Sequence, residues 1–356
     1  MKQLVTTIIA VTAAVVMSLS ATAADKLKVG FIYIGPPGDH GWTYQHDQGR
    51  LAMENTLGDQ VETMFVENVP EGPDAERTIE RLARQGAGLI FTTSFGYMDP
   101  TIKVAKRFPE VKFEHATGYK QADNVSTYSS RFYEGRYVIG QIAGKISKSG
   151  TAGYIASFPI PEVVRGINSF LLGAQSVNPD FKLKVIWVNS WFDPGKEADA
   201  AKVLISQGAD IITQHTDSTA AIQVAEEKGV YAFGQASDMA AFAPKALLTS
   251  IVNNWTDYYI ARTQAVLDGS WESTDTFGGM DMNMVRMGAF NNMPDDVKAM
   301  AEATTASITS GELHPFAGPI FAQDGSQTIG EGEVLDIGTL MSMNWYVQGV
   351  DDQLPQ

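Results

Sequence analysis

The side chains best equipped for chemistry in this chain stand just beyond its apolar runs, and their types suit holding a ligand rather than breaking a bond. Trp42 lies between Gly41 and Thr43, shortly after Gly35-Pro36-Pro37-Gly38, a stretch that can continue neither helix nor strand. An indole among small polar residues gives a flat ligand a surface to stack on. The loop holds no lysine and no GxGxxG follows the preceding apolar run. Those absences argue against a phosphate cradle and for a flat, neutral or weakly polar ligand. The helix expected to start after the loop would add unpaired N–H donors. Phe95, Phe158, Trp191 and Phe192 also follow apolar runs. Any of them could close the other face of a stacked ring, or pack under the next helix instead. Asp217 and Asp238 could accept from an exocyclic amine or ring N–H. Each could equally cap a helix, Asp217 above all, because Ser218-Thr219 follows it. Asn253 can donate and accept, which suits the edge of a base. Thr117, Tyr119 and Glu162 are further candidates. Arg165 reads as a solvated helix charge, and His215 as either cleft-lining or structural.

Catalytic patterns do not assemble. There is no GxSxG elbow, no P-loop and no paired-carboxylate motif, so an exported hydrolase ranks behind a binding protein. His40 and His46 flank Trp42 with Asp39 and Asp47 nearby, a spacing poor for two metal ligands on one helix, and no HExxH occurs. Neither a metal nor a cofactor is expected. The chain has no cysteine, which excludes disulfides, thiolate metal sites and cysteine nucleophiles. Its formal charge of −15 argues against nucleic-acid binding through phosphates.

The elements that must position these residues form a regular series. Strands are expected at 27–34, 60–67, 88–93 and 112–116, with helices at 42–57, 73–84 and 100–107 between them. A second series has strands at 151–156, 183–188, 209–213, 230–233 and 246–250. Its helices fall at 132–146, 162–177, 196–207, 219–228 and 254–267. Compact apolar strands alternating with charged helices predict an α/β fold with doubly wound parallel sheets. The alternation then stops: 274–287 and 323–333 read as hairpin or edge structure around a helix at 294–310. Residues 124–130, Asn-Val-Ser-Thr-Tyr-Ser-Ser, read as strand rather than linker, so the two halves should share a hinge of β segments. The N-terminus carries Met1-Lys2, an apolar core from Ile8 to Leu19 and Ala21-Thr22-Ala23. This predicts a secretory signal over 1–24, cleaved near Ala23 or Ala24, and a periplasmic product without a membrane anchor.

The segments KVGFIYIGPPGDHGWTYQHDQG, QGAGLIFTTSFGYMD, PEVKFEHATGY, SSRFYEGRYVIGQIAGKIS, GVYAFGQASD, LLTSIVNNW and NWYVQGV occur in this order along the chain. Together they resemble the basic membrane protein family of ABC-transporter substrate-binding proteins, the purine-nucleoside-binding group. The resemblance implies a type I periplasmic-binding-protein fold: two Rossmann-like lobes with a multi-crossing hinge that close around a ligand. The expected lobes are 25–126 plus 252–280 and 127–251 plus 281–356. It also implies a monomer that delivers a small-molecule purine to an inner-membrane ABC permease. Departures from the family pattern are informative. Thr117 and Ala236 stand where the family commonly has Asp, Asn253 where it commonly has Lys, and Trp42 where it has Phe. Such carboxylates and lysines serve sugar hydroxyls in nucleoside binders. Their loss points to a free, adenine-like nucleobase, with a purine nucleoside as the alternative. A sugar- or autoinducer-binding protein of the same fold is a further rival.

Overall fold

The computed structural model describes residues 25–355; the signal read at 1–24 lies outside them. The first lobe is built from β1 (Leu27–Ile32), α1 (Trp42–Leu57), β2 (Val61–Val66), α2 (Pro73–Arg84), β3 (Leu89–Thr92), α3 (Met98–Ala105), β4 (Lys112–Ala116) and β5 (Val125–Ser130). The second lobe follows with α4 (Tyr133–Ile146), β6 (Thr151–Ala156), α5 (Pro161–Gln175), β7 (Lys182–Trp187), α6 (Pro194–Ser206), β8 (Ile211–His215), α7 (Ala220–Lys228), β9 (Tyr231–Gly234) and β10 (Leu247–Asn253). The chain returns to the first lobe for α8 (Thr256–Asp268), which packs on α1, and β11 (Asp275–Gly278). It then re-enters the second lobe for β12 (Val285–Met287) and α9 (Asp295–Ser310).

One sheet has the order β11-β5-β4-β3-β1-β2 and is parallel throughout. The other runs β12-β10-β9-β8-β6-β7, parallel except for the antiparallel edge strand β12. Helices cover both faces, which is why β3, entirely buried, reads Leu-Ile-Phe-Thr without polar alternation. Helix α2 shows how local chemistry sets an end. Pro73 opens it, Asp74 and Glu76 occupy its first turn, and Arg81 and Arg84 its last, each complementing the helix dipole.

The chain passes between the lobes three times, after β5, after β10 and between β11 and β12. This is the multi-crossing hinge expected from the sequence. The strands β11 and β12 do not form a hairpin with each other, as one reading of 274–287 would have it. They are edge strands of different sheets, because residues 279–284 carry the chain across. The pair Ile320–Phe321 and Gln327–Ile329 is a true antiparallel hairpin on the second lobe. No described helix is long and apolar enough to cross a membrane.

Candidate functional site

The crevice between the lobes lies beyond the carboxyl ends of both parallel sheets, where open α/β sheets place ligands. The lobes touch along its rim. Ser237 Oγ donates to the His40 carbonyl, and the His40 and Phe242 rings sit 4.6 Å apart. Gly41 lies so close to the Asp217 backbone that an added Cβ would collide with it. Behind the rim the lobes are separated by a space of about 360 Å³, open solvent at its mouth included. Ile34, Trp42, Ser94, Phe95 and Thr117 line it from the first lobe. Glu162, Trp191, His215, Asp217 and Gln235 line it from the second.

Loop chemistry holds Trp42 in place. The Asp39 carboxylate accepts from the backbone N–H groups of Gly41, Thr43 and Tyr44, at 2.8, 3.0 and 2.9 Å. Those are three of the free donors at the start of α1, and the Trp42 backbone N–H faces the Asp217 carboxyl, so the helix end is met by protein groups and is not left to a ligand as the sequence suggested. The Trp42 indole N–H donates to the Thr93 carbonyl at 2.7 Å. Its ring meets His46 and Trp255 edge-on, with centroids 4.4 and 5.5 Å away. The indole N–H is thus spent on protein, and what remains for a ligand is ring surface. Trp191 differs: its Nε1–H is buried without a protein partner.

Of the residues picked out from the sequence, Trp42, Phe95, Thr117, Glu162, Trp191, His215 and Asp217 meet around this space. The structure puts the others elsewhere. Thr43 Oγ1 accepts from the Gly35 N–H at 3.3 Å and pins the Gly-Pro-Pro-Gly turn. Phe158 packs on Trp191, centroids 5.2 Å apart, and Phe192 approaches Gly35. Asp238 is exposed and accepts from the Ala240 N–H at 3.0 Å, a local turn role. Asn253 is buried at the end of β10, its Nδ2 donating to Ser130 Oγ at 2.9 Å where the chain changes lobes. Asp217 does not cap α7; Ser218 Oγ accepts from the Ala220 N–H instead. Arg165 is no solvated charge: it is 3% exposed, donates to the Leu340 carbonyl and lies over Phe277. The chain returning from the far C-terminus buries it, which helix periodicity cannot reveal. Ile34, Ser94 and Gln235 were not singled out, although each directly or nearly follows a strand and the carboxyl-end rule alone would have flagged them.

Electrostatics divide the site. Burial, with the Asp39 and Glu197 charges, pushes the Asp217 carboxyl well above the usual range, against the approaching Trp42 N–H. Burial also raises the half-buried Glu162, while Arg165 and Arg136 hold it down. His215 is kept neutral by burial and by Arg136 and Arg165. The arrangement can stack a flat heterocycle and exchange hydrogen bonds with its edge.

Asp217 is expected to give closure of the lobes a pH dependence. Opening the lobes returns it to solvent and removes Asp39, so its pKa is higher closed than open, and the closed form binds the proton more tightly. Closure of ligand-free protein is therefore favoured as pH falls through the window between the raised value and the ordinary carboxylate range. Scattering-derived closed fractions should rise as pH falls there, and Asp217→Asn should flatten the response. An opposite slope in the wild type would contradict this assignment.

Thr117 has φ of 63°, a left-handed backbone that a β-branched residue adopts at a cost and that Asn tolerates. Thr117→Asn should raise the unfolding free energy by about 1 kcal/mol, read from the denaturant midpoint.

A family model described as ABC transporter substrate-binding protein, PnrA-like, matches residues 26–314. The chain is 67% identical to a purine-binding protein of Brucella abortus (strain 2308), over 98% of this chain and 100% of that protein. It is 39% identical to a Haloferax volcanii protein proposed by its name to be an ABC transporter glucose-binding protein, over 93% of this chain and 82% of that one. The crystal structure of an ABC transporter system solute-binding protein from Aeropyrum pernix K1 covers 81% of this chain and 92% of its own, with TM-score 0.71 and 20% identity. That last likeness is one of fold, the two-lobed type I periplasmic-binding-protein fold.

Proposed function

The chain belongs to the PnrA-like family of ABC transporter substrate-binding proteins, and from that premise we propose that it binds a free purine base between its lobes and hands it to an inner-membrane permease. In this reading residues 1–24 direct export and are removed, and the mature protein acts as a periplasmic monomer. Trp42, Phe95 and Trp191 offer ring surface, and Asp217 and Glu162 accept from the N–H groups of the base. The observation that carries the reading is the convergence of these aromatics and carboxyls from both lobes on one interlobe space. The name of the Brucella relative agrees with a purine.

The preference for base over nucleoside rests on Thr117 and Ala236. Both have left-handed backbones, φ 63° and 62°, a conformation in which Asp is enriched and Thr and Ala are not. These are the two positions where the family resemblance leads one to expect Asp. Thr117 lines the interlobe space, so a ribose brought against it would meet a methyl group and a single hydroxyl in place of a carboxylate able to accept from vicinal hydroxyls; Ala236, buried next to the lining residue Gln235, likewise brings no carboxylate. Burying the ribose hydroxyls without partners would weaken binding.

Mass spectrometry of small molecules released by denaturing the purified protein tests this, followed by titration of the stripped protein with adenine, hypoxanthine, adenosine and glucose. Release of a base, and tighter binding of base than nucleoside, is the expected result. Tighter adenosine binding would keep the family and overturn the argument from Thr117 and Ala236. Glucose binding without purine binding would overturn the ligand class and favour the function named for the Haloferax relative.

A further inference from the structure

Below the second-lobe wall of the site, three buried polar atoms have no protein partner: Arg136 Nε, Tyr154 Oη and His215 Nδ1. They come from α4, β6 and the end of β8 and converge beside Gly166 of α5. A Cβ placed on Gly166 would stand 3.1 Å from Tyr154 Oη, 3.5 Å from His215 Nδ1 and 3.7 Å from Arg136 Nε. The three atoms are not hydrogen-bonded to one another, yet all face one small polar volume that exists because residue 166 lacks a side chain. Buried polar groups are nearly always satisfied, and a site with two to four polar partners is where an internal water sits. The guanidinium also donates through Nη1 to Thr213 Oγ1 and through Nη2 to the Gln214 carbonyl and Gln235 Oε1.

We propose that a buried water against Gly166, held by Arg136 and Tyr154, fixes neutral His215 with its proton on Nε2, so that the site presents the ligand with a hydrogen-bond donor there. Two arguments select this tautomer. Arg136 Nε can only donate, so the water must accept from it. If the water also accepts the Tyr154 O–H, it gives a proton to His215 Nδ1 and every side-chain proton in the cluster has an acceptor. With the proton on Nδ1 the water would accept from the ring, and the tyrosyl proton would be left with none. The Arg136 charge acts the same way, because it favours the ring lone pair rather than an N–H turned toward it. Nδ1 is committed to this cluster while the ring lines the interlobe space, which leaves Nε2–H for the ligand. The matching ligand group is an acceptor, a ring nitrogen or carbonyl oxygen of a heterocycle. Arg136, Tyr154 and Gly166 are then positioning residues that set the hydrogen-bonding sense of the site without touching the ligand. The inference rests on the reading that this space is the ligand site.

The test uses the untagged protein labelled with 15N in its five histidines, His215 being assigned by loss of its signals in His215→Gln. Long-range 1H–15N spectra of ligand-free protein should show His215 protonated at Nε2 and bare at Nδ1. Gly166→Ala removes no polar group but fills the water volume, and in mid-helix alanine favours folding. It should disturb the His215 tautomer signals and weaken adenine binding about tenfold. Tyr154→Phe should do the same and stands in if the alanine variant misfolds. A proton on Nδ1 in the wild type would overturn the proposal, as would unchanged His215 signals and adenine affinity in both variants. Failure of adenine to bind the wild type would defeat the purine reading alone, because the spectra of ligand-free protein still decide the tautomer.

Discussion

Trp42→Ala is expected to weaken ligand binding by about 1–3 kcal/mol, the worth of stacking a base on an aromatic side chain, which is roughly 5- to 150-fold in Kd. The protein should still fold. Trp42 is only partly buried, and its anchors are the single indole hydrogen bond to Thr93 and edge contacts with His46 and Trp255. The backbone that presents it is set independently, by the three N–H groups bound to Asp39. Removing the side chain therefore strips ring surface from the site and leaves the loop in place. Trp42→Phe separates the contributions, since it keeps a stacking face and loses the bond to Thr93. Calorimetric titration of stripped protein with adenine should rank wild type first, Phe next and Ala last. Wild-type affinity in Trp42→Ala would remove this residue from the ligand site.

The lobes were legible because their inner strands, such as β3 and β8, are buried on both faces while outer helices such as α2 carry charge on a solvent face. Helices α1 and α2 begin and end at the residues the sequence suggests, Trp42–Leu57 and Pro73–Arg84, where turn residues and Pro punctuate the pattern. Site residues were legible only to the level of the loop. A side chain just past a strand can point into the crevice, as Phe95 does, or lean on a neighbour, as Phe158 leans on Trp191. The choice depends on loop dihedrals that no periodicity encodes. Asn253 and Arg165 depend on partners far away in sequence, Ser130 and Leu340, so their surroundings could not be read locally. The polar cluster at Gly166 was hidden for the same reason. Its members are scattered over four elements, and the glycine announces nothing until the three polar atoms around it are seen together.

The Asp217 loop depends on one carboxylate that never reaches the ligand space, and Glu197→Ala should cost about 3 kcal/mol of stability. Glu197 is fully buried in α6. Its Oε1 accepts from the Asp193 N–H at 3.0 Å, while Asp193 caps α6 by accepting from the Lys196 N–H at 3.0 Å, so the two acids lock the start of the helix reciprocally. Its Oε2 accepts from the Ser218 N–H at 3.1 Å and Ser218 Oγ at 2.7 Å, directly beside Asp217. Alanine leaves these buried donors without an acceptor, and unmet donors cost more than the bond itself contributes. Glu197→Gln distinguishes charge from hydrogen bonding. With its amide oxygen turned to Ser218 it keeps both of those bonds, leaving only the Asp193 N–H facing an NH₂ group. It should therefore be clearly more stable than the alanine variant in urea unfolding. Ligand affinity adds a second reading of the same pair. If Glu197 holds the 216–218 loop in its binding geometry, Glu197→Ala binds adenine more weakly even at temperatures where it is fully folded, and Glu197→Gln largely restores binding. Equal affinities in all three proteins would confine Glu197 to stability and leave Asp217 positioned by its contact with the Gly41 loop alone.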